Sequence, residues 1–152
     1  ALYRRGMYTF IKRTVPPPSM MMFDGSNRDE CQVTRYRTNT PLQALIMLND
    51  PTVLEASKAL ADKLLQQQPE ANKLIEKAFR SILCRQASSK EIETLVSFYD
   101  ETKKELAKDQ KKAATLVEPG TYKPRTKQIV DLAAAMQTIQ VIYNMQEAIT
   151  KT

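Results

Sequence analysis

The stretch Arg37-Thr-Asn-Thr-Pro-Leu-Gln-Ala-Leu-Ile-Met-Leu-Asn-Asp-Pro51 constrains the fold most, because it writes two helix starts one short helix apart. Thr40 precedes Pro41, and a residue before proline is driven out of the α region into the extended backbone that an N-cap needs. Gln43 follows three residues later, so Thr40-x-x-Gln43 reads as a capping box with proline at the first helical position. Asp50-Pro51 repeats the device. Between the two caps, Leu42, Ala44, Leu45, Ile46, Met47 and Leu48 leave almost no polar face, which predicts a buried helix over 41–49.

The chain has 152 residues, enough for a single domain with a sizeable core. Only 3 glycines and an abundance of Ala, Leu, Lys, Glu and Gln favour helix over sheet. The first residue is Ala1, and Leu2-Tyr-Arg-Arg5 reads as the interior of a longer protein, so the expectation is a C-terminal piece. Histidine is absent. That removes Ser-His and Cys-His nucleophile pairs, the His-x-Glu deaminase signature, every His-containing zinc site and the Cys-x-x-Cys-His haem attachment. Cys31 and Cys84 are too few for a four-ligand thiolate site. The expectation is therefore a piece that holds neither haem nor structural zinc. No apolar run approaches the ~20 residues of a membrane span, and no signal peptide is present in the sequence.

The net charge of +6 is unevenly spread. Residues 1–40 carry seven Arg/Lys against three acids, and 101–128 carry eight against four; the two remaining stretches are near neutral. A solvated basic surface is the plain interpretation, and a phosphate or acidic-partner surface the functional one. Helix-turn-helix spacing, an RNP-type aromatic pattern and a Gly-rich phosphate loop are all missing, which argues against nucleic acid.

Residues 1–40 lack a sustained helical period. Met7-Tyr-Thr-Phe-Ile11 is rich in strand formers and precedes the triple proline of Val15-Pro-Pro-Pro18, so an extended arm is expected, with a short strand or an irregular helical turn at 7–11. Met20-Met-Met-Phe23 and the turn cluster Asp24-Gly-Ser-Asn27 follow. So many apolar side chains imply an arm laid across a core. An apolar arm whose cover lies elsewhere also predicts self-association through residues 1–23.

From residue 41 onward the pattern is helical. Pro51 to about Gln67 reads as a helix with Val53, Leu54, Leu60, Ala61, Leu64 and Leu65 inward. Leu74, Ile75, Ala78, Phe79, Ile82 and Leu83 form one amphipathic stripe. Ser88-x-x-Glu91 is a second capping box, opening a helix with Ile92, Leu95, Val96, Tyr99 and Leu106 inward and a solvated, fraying end at 103–112. Glu118-Pro-Gly120 and Lys123-Pro124 mark a loop of roughly a dozen residues. The last helix, about 126–150, carries two apolar rows and should be central, beside 41–49. The expected class is mainly all-α, with about five helices, an irregular arm at 1–40 and a helical core at 41–152.

The best polar cluster is Arg35 and Arg37 with Asn39, Asp50 and Asp24. An arginine fork can hold a carboxylate or phosphate; equally, the two arginines can pair with Asp24, Asp29 or Asp50 and pin the arm to the core. Asp24, Asp29 and Glu30 offer carboxylates for acid–base work, but no other convergent group accompanies them. Met20, Met21 and Met22 are soft ligands in principle and core fillers in practice. Cys31 and Cys84 stand 53 positions apart and can pair if the protein is exported.

Arg4-Arg-Gly-Met-Tyr-Thr-Phe-Ile-Lys-Arg-Thr-Val-Pro-Pro-Pro18, Phe23-Asp24, Cys31, Arg37-Thr-Asn-Thr-Pro-Leu-Gln-Ala-Leu…Leu-Asn-Asp-Pro51, Ala78-Phe-Arg80 and Ser88-x-x-Glu91 together resemble a planctomycete-specific domain of unknown function. That family lies C-terminal to planctomycete cytochrome-c-like modules in large exported bacterial proteins. It usually shows Gly-Arg where this chain has Cys84-Arg85, so a 31–84 disulfide is not a trait that the resemblance implies. The resemblance implies a periplasmic or extracellular parent, a haem domain upstream, and a role around polysaccharide use. It brings no catalytic residues. Two functions follow as expectations: a non-catalytic helical module docked on upstream domains of the same chain, or a contributor of Arg and Asp side chains to a hydrolytic or redox site shared with them.

Overall fold

The computed structural model describes residues 8–12, 14–25, 33–34, 38–68 and 70–150. Among these the secondary structure is eight helices: α1 (Pro18–Met22), α2 (Pro41–Asn49), α3 (Pro51–Gln67), α4 (Ala71–Leu83), α5 (Ser89–Lys108), α6 (Gln110–Val117), α7 (Ile129–Tyr143) and α8 (Gln146–Ile149). The all-α expectation holds. Met7 lies outside the described residues; Tyr8 to Ile11 form no strand, and the nearest extended pairing is a single bridge between Lys12 and Val15. No helix among the described residues is long and apolar enough to cross a membrane.

The caps act where the sequence placed them. Thr40 is extended (φ −111°, ψ 149°); its Oγ1 accepts from Gln43 N at 3.3 Å, and its own N donates to Gln43 Oε1 at 3.0 Å. Such a cap stabilises a helix by about 1 kcal/mol. Asp50 ends α2 and starts α3: its N donates to the Ile46 carbonyl, and its Oδ1 accepts from Thr52 N at 2.8 Å. Ser88 and Glu91 close the second capping box at the head of α5.

The core belongs to α7. Leu132, Ala133, Ala134, Ala135, Met136, Ile139 and Ile142 are buried, and α7 packs against α3, α4, α5 and α6. Three consecutive alanines let neighbouring backbones approach closely on several sides, as a central helix needs. Leu64, Leu74, Ile75, Phe79, Leu95 and Leu106 complete the cluster.

Three expectations are corrected. The helix expected over 126–150 stops at Asn144, and Met145 (φ −65°, ψ 143°) redirects the chain into α8. The turn brings Glu147 to Arg85, whose Nε donates to Glu147 Oε2 at 2.7 Å. The solvated end expected at 103–112 does not fray: Leu106 is buried, Asp109 Oδ1 accepts from Lys112 N, and α6 begins there with Ala113 fully buried.

The third correction concerns α2, which is not a buried helix. Leu42, Leu45 and Leu48 are 46%, 57% and 42% exposed, and its one buried residue is Gln43. A helix with no polar face has no hydropathy pattern to decide which side turns inward, so the polar partners of Gln43 decide it. The described part of the arm is covered only in part: Ile11, Met20 and Phe23 are half-buried, while Tyr8, Phe10, Val15 and Met21 are exposed.

Helix α4 ends in a left-handed residue, Cys84 (φ 57°, ψ 19°), whose N donates to the Arg80 carbonyl. That is the position where glycine carries no Cβ penalty, and the one where the resembled family shows Gly. Replacing Cys84 with glycine is expected to stabilise the protein by about 1 kcal/mol. A denaturant midpoint that falls instead would show that the exposed thiol side chain contributes more than its backbone strain costs.

Candidate functional site

The sequence-predicted cluster divides by role. Arg35 and Arg37 lie outside the described residues, as does Cys31. Asp24 sits in the left-handed region (φ 55°), which aspartate tolerates better than most residues. Its carboxylate accepts from Thr38 N at 2.9 Å and from Thr38 Oγ1 at 2.8 Å. Asp50 serves as the α3 cap, and Asn39 is exposed. Asp24 and Asp50 each accept from a backbone amide, Asp24 from Thr38 N and Asp50 from Thr52 N.

What Asp24 does join is a polar junction under α2. Gln43 Nε2 donates to the Met22 carbonyl at 2.7 Å and to Thr38 Oγ1 at 2.9 Å, while its Oε1 holds the Thr40 amide. Asp24, Thr38, Thr40 and Gln43 thus fasten the end of α1 to the start of α2. The consequence is geometric. With Gln43 turned inward, Leu42, Leu45 and Leu48 face out, with the half-exposed Met21 and Met22 of α1 on the fastened neighbour.

A second buried network escaped the sequence. Glu55, Lys58 and Asp62 recur along α3 at i, i+3 and i+7 and are 8%, 1% and 0% exposed. Lys58 Nζ donates to the carbonyls of Val117 (3.1 Å) and Pro119 (2.6 Å), satisfying the end of α6. Glu55 Oε1 accepts from the amides of Thr121 and Tyr122. Asp62 accepts from Tyr122 Oη (2.8 Å), Arg125 N (3.0 Å), Thr126 N (2.9 Å) and Thr126 Oγ1 (2.6 Å). Burial pushes the Asp62 pKa up, but the bonds from Thr126, Arg125 and Tyr122 outweigh it and hold the carboxyl far below its usual range. Gly120 (φ 91°) is required here, because a Cβ at that position would lie 2.6 Å from Glu55 Oε2. The one available signal was Glu-x-x-Lys-x-x-x-Asp, charges at the spacing of a buried face.

The remaining ion pairs brace helix ends. Arg85 binds Glu91 and Glu147 and lies 4.7 Å from the Phe79 ring centroid. The Arg85 guanidinium, then the Ser88 backbone and hydroxyl, lower the Glu91 pKa to about 2. Lys103 pairs with Asp131, toward which Tyr99 Oη points at 3.4 Å. Among the described residues, no group of three or more His, Cys, Asp or Glu is placed to hold a metal ion.

The fold is thus a helical domain in which Glu55, Lys58 and Asp62 tie down the segment after α6, and in which α1 and α2 carry exposed apolar side chains, as do Tyr8, Phe10, Val15 and Val33 in the segments around them. Residues 1–99 match PSD1, described as a protein of unknown function (DUF1553), and the chain belongs to that family. No curated protein and no solved structure matches it.

Proposed function

We propose that this chain is a non-catalytic docking module that seats against upstream domains of the same exported polypeptide through the outward face of α2. The observation that carries this reading is a nine-residue helix without a charged side chain, held with Leu42, Leu45 and Leu48 in solvent. Monomers rarely leave contiguous apolar surface of more than a few hundred Å² uncovered. The family resemblance supplies the occupant: domains of this type follow cytochrome-c-like modules in exported planctomycete proteins. Haem chemistry and polysaccharide use then belong to the parent rather than to this domain. The rival role, an Arg and Asp edge on a shared hydrolytic or redox site, would have to use an Asp24 carboxylate that already accepts from the Thr38 amide and hydroxyl.

An apolar face deprived of its cover seeks another. The isolated chain is expected to self-associate through residues 1–23 and α2, and a chain extended upstream to do so less. Light scattering coupled to size exclusion over a range of concentrations distinguishes the two. A monomer at every concentration for both chains would remove the support for docking.

A further inference from the structure

Beyond the α2 face, the segment between α6 and α7 carries an unassigned cationic surface. Glu55 and Asp62 bind the amides of residues 121, 122, 125 and 126, so the segment 121–127 is fixed. Its exposure alternates: Tyr122, Pro124 and Thr126 turn inward, while Lys123, Arg125 and Lys127 are exposed. Lys111 and Lys127 line an open groove of about 590 Å³ between α6 and the start of α7, with Ala114, Ile129 and Val130 as its apolar lining; Asp131, the one carboxylate in that lining, is paired with Lys103. Ile129 is 46% exposed. Among the described residues none of Lys111, Lys123, Arg125 and Lys127 forms an ion pair, whereas nearby Lys103 and Lys112 are neutralised by Asp131 and Glu105.

We infer that this groove and its cationic rim take an extended acidic peptide segment that carries an apolar side chain. The positive rim fits carboxylates, and its fixed backbone lowers the ordering cost of binding. The apolar floor selects among polyanions. A single-stranded nucleic acid would look for exposed aromatic rings on which to stack, and the Tyr122 hydroxyl is instead tied inward to Asp62. An acidic polysaccharide brings no aliphatic side chain for Ile129.

The test is fluorescence anisotropy with a labelled ten-residue peptide alternating Glu with Gly around one central Leu, titrated with the whole chain at about 20 mM and about 150 mM salt. Saturable binding that weakens with salt is expected. Binding should fall roughly fivefold in the double variant Lys111→Gln, Lys127→Gln, and also when the peptide Leu becomes Ser or when Ile129 becomes Gln. These side chains are exposed, and an unchanged melting midpoint confirms that each variant is folded. No saturable binding, or equal binding by the double variant, overturns the inference. So does tighter binding of a heparin oligosaccharide or an oligothymidylate than of the peptide, or indifference to both the peptide Leu and Ile129.

Discussion

Replacing Asp62 with alanine is expected to cost about 3–5 kcal/mol, one of the largest single-residue effects in this chain. The carboxylate is fully buried and satisfies four donors from Tyr122, Arg125 and Thr126. Alanine leaves those donors without acceptors and releases the segment that connects α6 to α7. Against a total stability of roughly 5–15 kcal/mol, such a loss brings the fold near its limit. The pH dependence gives a second readout. A carboxyl held ionised below its unfolded value contributes stability that is present above that value, about 3.9 for aspartate, and is lost as pH falls toward the folded value. Asp62→Asn keeps the shape and removes the titration, so its stability should fall less steeply than the wild type's below about pH 4. Parallel acid-unfolding curves for the two proteins would show that Asp62 is not held ionised by these bonds.

A chain ending at Tyr99, the last residue of the family match, is expected not to fold cooperatively. It lacks α6 and α7, and with them the buried Leu132, Met136, Ile139 and Ile142. Burial of side chains of this size stabilises by roughly 1.5–3 kcal/mol each, so four of them match the whole stability of a typical domain. Truncation also leaves Lys58 without the Val117 and Pro119 carbonyls and Asp62 without its donors. The measurement is thermal unfolding followed by far-UV circular dichroism together with dye binding. A broad, non-cooperative loss of helix with strong dye binding is expected. A sharp transition with native helicity would mean that α7 is an accessory rather than the centre.

Capped and amphipathic elements were legible in the sequence because their signals are local. Thr40-x-x-Gln43, Asp50-Pro51 and Ser88-x-x-Glu91 each name the atoms that start a helix, and all three act there. The stripe of Leu74, Ile75, Ala78 and Phe79 fixes which side of α4 turns inward. The orientation of α2 was not legible, because an almost wholly apolar helix offers no contrast, and its inward side is set by Met22, Thr38 and Gln43 across 21 positions of chain. The Glu55, Lys58 and Asp62 network was missed for a related reason. Its partners are mostly backbone amides and carbonyls some 60 residues away, which have no letter in the sequence. The break at Asp109 comes with a single cap and the break at Asn144 with the extended backbone of Met145, and neither interrupts the apolar period.

Whether the exposed face of α2 is a docking surface is tested most directly by calorimetric titration of the separately produced upstream portion of the polypeptide into this domain and into its Leu45→Glu variant. Leu45 is 57% exposed, so the substitution should change stability by no more than about 0.5 kcal/mol. Saturable binding by the wild type, weakened about tenfold or more in a variant with an unchanged melting midpoint, is the expected result. No binding by the wild type, or equal binding by Leu45→Glu, would contradict the docking role.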